Sequence, residues 1–149
     1  MRVCVYLSYI GLGANLLHLS YCHQIAKKYG PITIITLCEN LKSALDDDPY
    51  IDRVIVLNKY TKKFFDLFKL GNFLKQFSFD KIYIYYPSVR IFFAAKFAGI
   101  KDVNIYSILK KNKLHLVYTA KEFTEKKLNL KNCPTYTNFI LSDEKKKIL

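Results

Sequence analysis

At 149 residues and 17.5 kDa, the chain is the size of one domain and can bury a core without a disulfide or metal staple. Its composition, 51% hydrophobic and 24% charged with five Gly and four Pro, excludes disordered, collagen-like and low-complexity classes. The formal net charge is +12, and residues 1–58 hold five basic and five acidic side chains, so residues 59–149 carry all of the excess.

The chain alternates strand-like and helix-like segments. Val3–Leu7 (VCVYL) is apolar and β-branched, as in a buried strand. Residues 8–14 read as a glycine-bearing turn that needs unusual backbone angles. Asn15 can cap a helix running to about residue 29, which Gly30 and Pro31 end. Residues 32–37 (ITIITL) form the second strand, and residues 41–45 a short helix. Residues 53–57 (RVIVL) form the third strand. Thr61 opens an amphipathic helix that carries Phe64, Phe65, Phe68, Leu70, Phe73, Leu74 and Phe77. Residues 81–85 (KIYIY) are the fourth strand, and Pro87 suits the first turn of the next helix. Residues 103–106 are a fifth strand. Thr119 and Glu122 make a capping-box pattern for a helix to about residue 129, and Ser142 can start another. Strands this continuously apolar, alternating with helices, imply an open parallel α/β sheet covered on both faces, with right-handed crossovers. Ligands of such sheets bind beyond the carboxyl ends of the strands, so the loop after the first strand is the first candidate site.

The four cysteines are scattered without a CxxC pair. Cys4 and Cys38 read as buried apolar groups, and a reducing cytosol fits them. Residues 3–26 lack Lys, Arg, Asp and Glu but hold Asn15, His18, His23 and Gln24, which are expensive in lipid. No transmembrane segment or signal peptide is expected. The excess charge has two readings. A basic surface attracts phosphate, and a composition rich in Lys, Asn, Ile, Tyr and Phe also follows from AT-rich coding.

Several residues are candidates for chemistry. Gly11 and Gly13 match the first two glycines of GxGxxG, with Leu16 in the third place, and Glu39 follows the second strand where a dinucleotide fold wants an acid. His18 lies one turn into the first helix and His23 on another face. His18 either faces a ligand at the loop or is an ordinary helix residue. Asp46, Asp47 and Asp48 read as a solvated turn rather than a cation site. Arg90 stands in the first turn after the fourth strand, where its planar fork suits phosphate. No G-x-S-x-G, Walker loop or H-E-x-x-H is present.

Three stretches, taken in order, resemble one family. They are MRVCVYLSYIGLGANLLHLSYCHQIAKKYG, ALDDDPYIDRVIVL and FDKIYIYYPSVRIFFAAKFAGIKDVNIY. The similarity is to glycosyltransferase family nine, the ADP-heptose:lipopolysaccharide heptosyltransferases, and covers residues 1–107. It implies the N-terminal half of a two-domain GT-B fold. Residues 1–107 would be a Rossmann-like acceptor-side domain. Residues 108–149, whose NCPTYTNFILSDEKKKIL resembles the interdomain linker, would be a basic helical extension toward a C-terminal donor domain.

By the same resemblance, Ser8, Gly11, Gly13, Asn15 and Arg90 would line the acceptor site. The donor, an ADP-sugar, would be held by the other half, with no metal or further cofactor. The expected partners are an anionic glycolipid or phosphorylated glycan acceptor, a donor-domain partner and the inner membrane surface, with no nucleic acid. The expected location is cytoplasmic or peripheral on the inner face of that membrane. The family's Gly-Asp supplies a catalytic carboxylate, but its position here is Ala14 when aligned through Gly13 and Leu12 when aligned through Gly11. Ser20 replaces a usual Pro. His18 is the remaining candidate base. Two alternatives remain. One is a nucleotide-binding domain using Gly11, Gly13 and Glu39, and the other a non-catalytic module that docks anionic glycolipid.

Overall fold

A computed structural model describes residues 1–57, 66–106 and 116–137. Five strands, β1 (Val3–Leu7), β2 (Ile32–Thr36), β3 (Ile51–Val56), β4 (Lys81–Ile84) and β5 (Asp102–Ile105), form one parallel sheet in the order β3-β2-β1-β4-β5. The helices are α1 (Leu12–Leu16), α2 (Leu19–Tyr29), α3 (Leu41–Ala44), α4 (Asp66–Lys75), α5 (Val89–Phe97) and α6 (Leu116–Leu128). The α/β class expected from the sequence is therefore the observed one. The strand order reverses between β1 and β4, which makes the crevice beyond their carboxyl ends the topological switch point.

Successive strand side chains point to opposite faces of the sheet, so β1 feeds two cores. Val3, Val5 and Leu7 pack with α2 and α6 residues such as Ile25 and Phe123. Cys4 and Tyr6 pack with Leu74 of α4 and Ile91 and Ala95 of α5. The cysteines Cys4, Cys22, Cys38 and Cys133 are all buried and free.

The termini of several elements differ from the sequence expectation, and each difference has a local cause. The first helix is split. Asn15 is inside α1 rather than at its cap, because its side chain turns back onto the loop before it. The His18 N–H bonds to Asn15 O, a three-residue span that tightens the turn and separates α1 from α2. α5 starts at Val89 rather than Pro87. The extended Ser88 is its cap, and its Oγ accepts from the Ile91 N–H. Thr119 is no cap, since α6 already begins at Leu116. Asp48 is buried rather than solvated. Its Oδ2 accepts from His23 Nε2 at 2.6 Å and its Oδ1 from the Tyr50 N–H at 2.9 Å. The expectations for Thr61, Phe64, Phe65 and Ser142 lie outside the described residues.

At Gly71 α4 and α5 approach closely. A Cβ there would lie 2.5 Å from Phe97 Cδ1 and 3.1 Å from Ala94 O. The ring can swing away, but the carbonyl oxygen belongs to α5 itself. Gly71→Val is expected to destabilise the fold by about 1–3 kcal/mol, the usual cost of overpacking. A urea titration with an unchanged midpoint would mean that the two helices slide apart freely.

Candidate active site

Two loops flank the switch point, residues 8–11 after β1 and residues 85–88 after β4. Tyr9 joins them. Its OH donates to Tyr85 O at 2.8 Å, and its ring meets Tyr86 edge-on at 5.9 Å. The first loop is held from below by Asn15, which is 1% exposed. Asn15 Nδ2 donates to Tyr9 O at 3.1 Å and to Gly11 O at 2.7 Å. Asn15 Oδ1 accepts from the Thr36 hydroxyl at 2.6 Å. Thr36 ends β2, so the amide locks the loop to the neighbouring strand.

The two glycines do not have the unusual backbone angles expected of them. Gly11 has φ −74° and ψ 139°, and the positive-φ glycines among the described residues are Gly30 and Gly99. A Cβ on either Gly11 or Gly13 would meet nothing within 4 Å, so neither position requires glycine for space or for backbone angle. Both are exposed, and Ser8 beside them is half-buried. Leu16, in the third place of the glycine pattern, packs against the α2 core, and Glu39 is exposed beyond β2. Arg90 is half-buried in the first turn of α5, next to the Ser88 cap. Ser8 and Gly11 thus lie on the loop after β1, Gly13 in α1 directly after it, and Arg90 in the first turn of α5 after the β4 loop, with the Asn15 side chain bonded to the first loop. Leu12 and Ala14, the two positions aligned with the family carboxylate, carry no ionisable group.

His18 is fully buried below this loop. Its ring stacks on Tyr9 at 5.0 Å and meets Tyr85 edge-on at 5.4 Å. Nδ1 lies 2.7 Å from Ala14 O, which can only accept, so Nδ1 carries the proton. Among the described residues Nε2 has no hydrogen-bond partner, and in the neutral ring it holds a lone pair. This is the atom a general base needs, but the ring is fully buried. The buried Tyr106 OH, just past β5, likewise has no partner among the described residues. Tyr9, Tyr85 and Tyr106 gave no signal in the sequence, because no spacing of tyrosines tells which of them gather at a strand end.

Burial lowers the pKa of His18, opposed by its bond to Ala14 O. The unfolded imidazole titrates near pH 6.5. Above that pH both states are neutral, and the site costs nothing. As the pH falls below it, the unfolded chain takes up a proton that the folded chain refuses, and stability declines until the lowered folded pKa is passed. Thermal melts on either side of pH ~6.5 should show this loss, and His18→Phe should flatten it. An equal slope in the variant would assign the loss to other groups.

At the opposite, amino edge of the sheet, Arg2, Asp52, Arg53 and Phe77 line a cavity of about 190 Å³. Its arginines serve the fold. Arg2 Nη1 donates to Phe77 O just past the end of α4, and the Arg53 guanidinium lies 5.8 Å from the Phe77 ring centre.

Comparison with solved structures places the fold. The chain superposes on the E. coli ADP-heptose LPS heptosyltransferase II with a TM-score of 0.67 and 16% identity, over 99% of this chain and 49% of that one. It superposes on a family 9 glycosyl transferase from Veillonella parvula with a TM-score of 0.68 and 16% identity, over 96% and 46%. The likeness is one of fold. The chain spans about half the length of these GT-B glycosyltransferases. No protein-family profile matches the sequence, and no curated protein matches it. Among the described residues, no helix is long and apolar enough to cross a membrane.

Proposed function

We propose that this chain is the acceptor-side half of a glycosyltransferase that modifies lipopolysaccharide core or a related envelope glycan with a heptose-like sugar. The observation that supports this most is the superposition of nearly the whole chain on about half of two glycosyltransferases. On this reading, residues 1–107 form the acceptor domain, and residues 108–149 lead to a donor half that holds the ADP-sugar. The chain works in the cytoplasm, at the inner face of the inner membrane. Ser8, Gly11 and Gly13 give the acceptor room at the crevice, Asn15 fixes the loop, and Arg90 pairs with acceptor phosphate.

In a transfer of this kind, the acceptor hydroxyl attacks the anomeric carbon as the nucleoside diphosphate leaves, and the hydroxyl proton must go to a base. With no carboxylate on the first loop, His18 Nε2 is the group that would take it, once the segment over the buried ring opens. Positioning and charge stabilisation supply much of such a rate in any case.

The test is binding of a phosphorylated core oligosaccharide to wild type and Arg90→Ala across a salt series. A fitted guanidinium–phosphate contact predicts a loss of about 1.5–3 kcal/mol in the variant, the scale of a hydrogen bond to a charged group. Diffuse attraction fades over a Debye length of about 8 Å at physiological salt, whereas the fitted contact persists. Equal binding at every salt concentration would make Arg90 ordinary surface. The purified chain is also expected neither to hydrolyse nor to transfer from an ADP-sugar. Robust turnover by this chain alone would overturn the half-site reading.

A further inference from the structure

The outer face of α4 and α5 is apolar where a solvent-facing helix surface is normally polar. α5 buries Ile91, Ala94 and Ala95 toward the sheet. Its opposite side carries Val89, Phe93 and Phe97 at i, i+4 and i+8, which are 42%, 48% and 45% exposed. Phe68 of α4, 45% exposed, meets Phe97 edge-on at 5.1 Å. The close approach at Gly71 seats Phe97 against α4, so four large apolar side chains make one ridge across two helices. Contiguous exposed apolar surface of this kind marks an interaction site.

Among the described residues, lysines flank the ridge. Lys96 falls between Phe93 and Phe97 on α5, and Lys75 lies two turns along α4 from Phe68. Lys69 is exposed beside Phe68. α5 contains no Asp or Glu. The acid of α4, Asp66, has one carboxylate oxygen buried. A second copy of this chain would bring the same lysines against one another. Phenylalanines that reach the acyl boundary, flanked by lysines at headgroup level, instead match an anionic bilayer surface.

We propose that this face docks the chain peripherally on a membrane rich in anionic lipid. The proposal extends the envelope-glycan reading by naming where the chain meets the bilayer, and its test uses vesicles without any glycan. The measurement is flotation of the purified chain with phosphatidylcholine vesicles, with and without phosphatidylglycerol. Wild type should float with the anionic vesicles and be released by salt. Lys69→Glu and Lys96→Glu should each weaken binding by roughly fivefold or more, since a basic group near such a surface contributes about a factor of five. Phe93→Ser/Phe97→Ser should reduce anionic-vesicle binding by at least tenfold with an unchanged circular-dichroism spectrum.

Equal flotation with neutral vesicles would overturn the proposal, as would full binding by the phenylalanine variant. Self-association of wild type that the same substitutions abolish would assign the face to a second copy instead. Oligosaccharide binding in solution is measured separately, so loss of either result leaves the other standing.

Discussion

Asp48→Ala is expected to cost the fold about 2–4 kcal/mol, because it strands one buried donor at about 1–3 kcal/mol and one half-buried donor at less. The carboxylate accepts from both His23 Nε2 and the Tyr50 N–H, at 2.6 and 2.9 Å. His23 cannot simply swing into water. It is buried in α2, its ring tilts against Tyr50 at 4.8 Å, and its Nδ1 lies 3.1 Å from Thr137 Oγ1. The same helix holds the chain at Pro134, whose carbonyl accepts from Ser20 Oγ. Loss of Asp48 should therefore also loosen the segment from Cys133 to Thr137, and proteolysis there should quicken. Asp48→Asn keeps an acceptor oxygen and should cost less than Asp48→Ala. Urea denaturation checks both. A midpoint for Asp48→Ala within about 0.5 kcal/mol of wild type, the range of ordinary surface changes, would restore the solvated turn that three consecutive acids suggested.

That turn shows what the sequence could and could not convey. Three adjacent aspartates look solvated because charge is costly to bury. Only the fold brings one of them against a histidine 25 residues earlier in the chain. The parallel sheet was legible, since runs such as VCVYL and ITIITL must be covered on both faces wherever they sit. That the loop after β1 lies at the carboxyl edge of the sheet, beside the switch point, was legible for the same reason. Its construction was not. Gly11 and Gly13 read as backbone devices, but the structure gives them ordinary angles and open space. Asn15 read as a helix cap because capping asparagines precede apolar periodic runs, but two nearby carbonyls and a strand hydroxyl compete for the same side chain. Local pattern cannot rank those partners, and three-dimensional proximity does. Tyr9 gave no signal, since its role is a hydrogen bond to a carbonyl 76 residues away.

The first loop should depend on Asn15 more than on either glycine. Asn15→Leu is expected to destabilise the chain by about 2–4 kcal/mol, because three hydrogen bonds are lost and the Thr36 hydroxyl loses its acceptor in a buried place. The substitution fills similar volume, so the loss measures hydrogen bonding rather than a cavity. Thr36 Oγ1 also accepts from the Cys38 N–H at 3.1 Å, so Thr36→Val alone should be destabilising as well. An unpaired buried group costs more than a pair removed together. The double variant Asn15→Leu/Thr36→Val should therefore be more stable than the sum of the single losses, by about 0.5–3 kcal/mol of coupling. The residual cost should come from the Tyr9 and Gly11 carbonyls, and a loop freed from them should release Tyr9 from Tyr85. Hydrogen exchange at the residue 8–11 amides should then accelerate in Asn15→Leu and stay slow in Gly13→Ala, whose added Cβ meets nothing. Strict additivity in the cycle would mean that Asn15 and Thr36 act independently. The tie between the first loop and β2 would then hold no share of the site's geometry.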